Sequence, residues 1–120
     1  PMDTDAPCVA AFFPCEAAFD LPFSIEPDFQ DLPGAVRADL QSCLAHHVYH
    51  LEERLGQSLI SRINSRPVAE RGQAMTASLR SLSRIRDGCG QQFAGHDMRV
   101  ERLACVQGRL ALTLPAVSSE

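Results

Sequence analysis

A chain of 120 residues has room for one domain with one modest core, which excludes a doubly wound nucleotide fold or a separate substrate domain. Its 45% hydrophobic and 22% charged residues are those of a globular protein, and no apolar run approaches the roughly 18 residues of a membrane-spanning helix. The net charge is −4 and all eleven bases are Arg, without a dense basic patch, which argues against nucleic-acid binding because phosphate neutralisation supplies most of that affinity.

The charge is unevenly spread. Residues 1–40 carry eight acids against Arg37 alone, a balance of −7, whereas residues 41–120 carry ten Arg against seven acids, +3. A cationic protein suits the acidic front as a partner. The plain alternative is that these acids only solubilise an irregular stretch.

In chain order, the first element is not regular. Six of the eight prolines fall between Pro1 and Pro33, which forbids a long helix or a central strand. The same stretch holds Phe12, Phe13, Phe19, Phe23 and Phe29, five of the six Phe, and a disordered tail would be poor in aromatics. Residues 1–33 are therefore expected to wrap over the rest as an ordered coil anchored by Phe side chains. The chain opens Pro1-Met2-Asp3, read as what remains after removal of a secretory leader.

A first helix is predicted from about Leu32–Gly34 to Ile63, with Asp31 as N-cap and Pro33 in the first turn. Val36, Leu40, Leu44, Val48, Leu51, Leu55 and Leu59 recur at steps of three and four and form its core stripe. Asn64-Ser65-Arg66-Pro67 supplies a stop, a Ser cap and a Pro start for the second helix. That helix places Val68, Met75, Leu79, Leu82, Ile85 and Cys89 on one face, with Gly88, Gly90 and Gly95 loosening its end. A third helix is predicted from about Asp97 to Leu114, striped by Val100, Leu103, Val106, Leu110 and Leu114 and ended by Pro115. The expected architecture is a single domain, 1–120: mainly α, a three-helix antiparallel bundle over 34–114 pinned by disulfides, with the Pro/Phe-rich coil packed over it.

Cys8, Cys15, Cys43, Cys89 and Cys105 contain no CxxC pair and are scattered as staples would be. In an oxidising compartment they give two disulfides and one leftover thiol, and the arithmetic leaves the pairing open. A cytosolic chain with five free thiols is the alternative. A Cys89–Cys105 bridge would lock the hairpin of the second and third helices. An unpaired Cys8 would be able to join two chains as a homodimer.

Cys43, His46, His47 and His50 fall in one sector of the first helix, the one arrangement with metal-ligand character, and define a small helical metal-binding protein as the alternative function. The plain reading is a polar flank with Cys43 in a disulfide. No G-x-S-x-G, HExxH or phosphate-cradling glycine loop occurs, so neither an enzyme nor a cofactor is expected.

A Cys in the first long helix, Arg86-Asp87-Gly88-Cys89 closing the next and Cys105 in the last resemble the secreted LprI-type, lysozyme-inhibitor-like family of bacterial proteins. The resemblance covers about residues 38–114 and rests on Cys43, Leu55, Arg80, Arg86, Asp87, Cys89 and Cys105. It implies a periplasmic, secreted or lipid-anchored protein that inhibits a lysozyme or related cell-wall hydrolase. It also implies that Cys43 pairs with an upstream Cys, taken as Cys15. The expected function is thus non-enzymatic: an immunity-type binding protein that occludes the active site of a lysozyme or peptidoglycan hydrolase. The inhibitory element is expected in Asp20–Asp31, through Asp20, Phe23, Glu26, Asp28, Phe29 and Asp31, or in the Gly90–Asp97 turn.

Overall fold

The computed structural model describes residues 13–24 and 26–118, the side chains of 115–118 excepted. Within them, the three apolar stripes become three long helices: α2 (Gly34–Asn64), α3 (Val68–Gln92) and α4 (Arg99–Ser118). A five-residue helix, α1 (Pro14–Ala18), precedes them, and a 3-10 turn at His96–Met98 leads into α4. No strand occurs among the described residues. None of the described helices is long and apolar enough to cross a membrane.

Partner residues give the helix directions. Arg37 meets Glu101 and His47 meets Gln107, so α4 runs parallel to α2. The Cys89–Cys105 bridge makes it antiparallel to α3. Leu40, Leu44, Val48, Leu51 and Leu55 of α2 are buried against Val100, Val106, Leu110 and Leu114 of α4. The expected first and third stripes are therefore the core.

The second stripe is only half used. Cys89 is buried and Leu82 and Ile85 pack on the core, but Val68, Met75 and Leu79 are 76%, 41% and 58% exposed. The cause is length: α4 has 20 residues against 31 in α2, so the α2–α3 hairpin projects beyond it as two helices with no third layer.

The helix ends also differ from expectation. Asp31 does not cap α2: Pro33 occupies the N-cap position, its carbonyl accepting from the Arg37 backbone N–H, and no side chain caps the end. Pro33 presets the entry φ, and Leu32 is drawn in against the core, which leaves Asp31 outside. Ser65 closes α2 instead of opening α3, its hydroxyl donating to the Arg62 carbonyl at 2.6 Å, and Pro67 is the N-cap of α3. Pro115 does not stop α4, which continues to Ser118. Its missing N–H removes one bond, to a carbonyl in the last two turns, where the helix has little left to lose.

Two disulfides staple this frame, Cys15–Cys43 between α1 and α2 and Cys89–Cys105 between α3 and α4. The reading with five free thiols is overturned. Cys8 lies outside the described residues, and with it the expectation of a disulfide-linked homodimer.

Candidate partner-binding segment

The acidic front owes its course to α1. Pro14 opens that helix and Cys15 ties it to α2. Its C-terminus is a Schellman turn: the Leu21 N–H reaches the Glu16 carbonyl at 2.8 Å and the Asp20 N–H reaches Ala17 at 3.2 Å. Asp20 takes the left-handed position of that turn, at φ 56, where glycine is usual. Leu21 then packs back onto the core.

From Leu21 to Asp31 the backbone is irregular and fixed by anchors. Phe23 stacks on Phe13 with ring centroids 3.9 Å apart and lies beside Gly108, where a Cβ would meet its ring at 3.4 Å. Phe29 is 6% exposed, inside the core cluster around Leu40 and Leu44. Local bonds shape the rest: Glu26 N–H donates to Ser24 Oγ and Gln30 N–H to Asp28 Oδ1.

The strongest anchor is polar. Glu101, fully buried, accepts the Phe29 N–H at 3.0 Å and the Arg37 guanidinium at 3.0 and 3.2 Å. Arg37 also donates to the Phe29 carbonyl and, at 2.7 Å, to the Asp97 carbonyl. One ion pair thus joins the acidic segment, α2 and the turn before α4. Burial pushes the Glu101 carboxyl up, but the Arg37 hydrogen bond, the backbone N–H groups of Glu101 and Phe29 and the Arg37 charge together hold it below its ordinary value. The hydrogen bond to Glu101 raises the Arg37 pKa against burial, and the charges of Glu101, Asp97 and Asp28 add to it.

A second polar chain runs under α1. Gln107, fully buried, donates from Nε2 to Glu16 Oε2 at 2.7 Å, and its Oε1 faces His47 Nδ1 at 2.7 Å. Since the amide oxygen only accepts, His47 donates from Nδ1. Burial raises the Glu16 pKa, outweighing the Glu16 backbone bond, the Gln107 bond and the His47 charge. Its Oε1 has no partner among the described residues.

The expected partner residues separate into two kinds. Asp20, Glu26, Asp28 and Asp31 are exposed along one segment, as a binding edge requires. Asp28 shares the field of Arg37, so part of its charge is answered inside the molecule. Phe29 is core and is not offered to a partner, while Phe23 is half-buried and lines a cavity of 190 Å³ with Glu26, Gln92, Gly108, Arg109 and Leu112. The Gly90–Asp97 turn is held by Arg102, which donates to the Phe93 and Gly95 carbonyls at 2.7 Å each.

The four-residue metal set does not assemble. Cys43 is spent in its disulfide and His47 is turned to Gln107, which leaves His46 and His50 together on the surface. No group of three or more ligating side chains occurs among the described residues.

Sequence reasoning missed the Arg37–Glu101 anchor and the Glu16–Gln107–His47 chain. The signals were present: Arg37 is the only base in the first 40 residues, and Glu101 and Gln107 each follow directly on a stripe residue of α4, Val100 and Val106. Against family models, curated proteins and solved structures, the chain has no significant match.

Proposed function

We propose that the protein is a non-enzymatic binding module that docks a cationic protein, a lysozyme or another peptidoglycan hydrolase, and occludes its active site. One observation carries the reading: an irregular segment with four exposed carboxylates, Asp20, Glu26, Asp28 and Asp31, is immobilised by a disulfide, two Phe anchors and a buried ion pair. A loop held this way loses little freedom on binding, which is what inhibitors that insert a rigid loop into a cleft require. Rim carboxylates steer a cationic partner and set its orientation. The cavity beside Phe23 and Leu112 gives an apolar side chain of the partner a place next to the acidic edge.

Two disulfides in a small helical domain favour an oxidising compartment, the periplasm or the cell exterior. The resemblance to the LprI-type family points the same way. Pull-down and inhibition assays against purified lysozymes and peptidoglycan hydrolases at low and high salt test the reading. A salt-sensitive complex is expected, weakened by Asp20→Asn, Glu26→Gln and Asp31→Asn combined. Absence of any complex and any inhibition across the panel overturns it.

A further inference from the structure

We propose that His46 and His50 form a bidentate copper(II) site on the open face of α2, independent of the acidic segment. The two residues are one helical turn apart in the interior of the longest helix, so their Cα positions are fixed by the backbone. Both side chains are exposed and their Nε2 atoms stand 3.0 Å apart. The rings lie nearly perpendicular, at 86°, with centroids 4.4 Å apart.

That separation selects among metals. With metal–nitrogen bonds of about 2.0–2.1 Å, a 3.0 Å bite subtends about 94° at the ion. A tetrahedral ion such as zinc needs a bite of about 3.3 Å, whereas neighbouring positions of a tetragonal ion lie near a right angle. Copper(II) prefers that geometry with imidazole donors and heads the affinity order of the divalent first-row metals. Without metal, the short contact is a hydrogen bond in which one Nε2 carries a proton and the other accepts it. On coordination the donating ring takes its other neutral tautomer, with the proton on Nδ1. Both Nε2 lone pairs then serve the ion and no net proton is released.

The neighbours define the site by exclusion. The Cys43 sulfur is committed to Cys15, so no thiolate is available to recruit a softer or tetrahedral ion. His47 points its Nδ1 at Gln107 on the α4 side and stays out of the set. The site is therefore open, two protein nitrogens with the remaining positions left to water or small ligands.

Copper(II) titration followed by calorimetry and electron paramagnetic resonance, in a buffer that does not bind copper, tests the assignment. One equivalent is expected, with an axial spectrum split by two nitrogens and weaker uptake of zinc. His46→Ala and His50→Ala should each lower affinity by about tenfold or more, since each removes the intramolecular second ligand, and should leave one coupled nitrogen. His47→Ala should leave the spectrum unchanged. Both ligand positions are exposed, so circular dichroism of these variants should match the parent. Copper uptake by the His46→Ala/His50→Ala double variant equal to the parent's overturns the site, as does loss of binding in His47→Ala or equally tight zinc.

Discussion

The Glu101 carboxylate has no exposed surface and stands 3.0 Å from the Arg37 guanidinium, with the Phe29 N–H on the same oxygen. Removing one member of a buried pair leaves the other charged and unpaired, which costs about 3–5 kcal/mol. Arg37→Ala should therefore destabilise the protein by about 3 kcal/mol, the low end, because Arg37 keeps 18% of its side chain in water. The double variant Arg37→Met/Glu101→Leu should recover much of that loss. Urea denaturation of the two variants checks it, and a double variant no better than Arg37→Ala would show that the pair acts through more than its charges.

Asp20 in the left-handed position of the α1 Schellman turn makes a local prediction. Glycine adopts that conformation without the Cβ clash an L-residue carries, so Asp20→Gly should raise stability by about 0.5 kcal/mol. Asp20→Val, β-branched at positive φ, should lower it by about 1 kcal/mol or more. Thermal melts of the three proteins give the order. Because Asp20→Gly keeps the turn and removes a carboxylate, it also separates fold from charge in the partner assay.

The α3 stripe separates what periodicity shows from what packing uses. Leu79 is 58% exposed, so Leu79→Gln should change stability by less than about 0.5 kcal/mol. Leu44, fully buried in α2, should lose about 3 kcal/mol as Leu44→Ala. Denaturation midpoints decide it: a large loss at Leu79 would mean that the hairpin tip is covered in solution.

Period and cysteine scatter made the helices and their staples legible, because both are local or chain-wide patterns. The length mismatch between α2 and α4 was not, since it depends on Pro115 failing to end α4 and on where the parallel pair comes into register. Helix starts misled for a related reason: Asp31 and Ser65 have capping chemistry, but Pro33 and Pro67 hold the cap positions. In the acidic segment the carboxylates were readable as exposed. Which Phe anchors and which faces out was not, because Phe29 is fixed by a carboxylate 72 residues away.

The staples predict a thiol count and a stability order. Four of the five cysteines are bridged, so denatured, unreduced protein should show at most one thiol per chain. On the chain-entropy model, loops closed at separations of 28 and 16 residues contribute about 3.5 and about 3 kcal/mol. Cys89→Ala/Cys105→Ser should thus destabilise the bundle slightly less than Cys15→Ala/Cys43→Ser. The second variant should also weaken partner binding, because it frees α1 and the segment that follows. A partner affinity unchanged in the Cys15→Ala/Cys43→Ser protein would separate binding from the rigidity of that segment.

Glu16 and Glu101 titrate in opposite directions, and the pH profile of stability follows from their signs. Glu101 is held below the ordinary 4.5 in the fold, so its contribution is present above that pH and is lost as pH falls through its folded value. Glu16 is raised above 4.5 by burial, so between 4.5 and its folded value the native state binds the extra proton and stability declines as pH rises. The wild-type profile should therefore fall on both sides, in acid through Glu101 and upward from about pH 4.5 through Glu16. Glu16→Gln keeps the Gln107 bond and removes the buried charge. It should flatten the upper decline and raise stability at neutral pH while leaving the acid limb in place. Urea midpoints across about pH 3 to about pH 8 resolve the two limbs. An upper limb that persists in Glu16→Gln would place the titrating group elsewhere, with His47, joined to Glu16 through Gln107, the next to substitute.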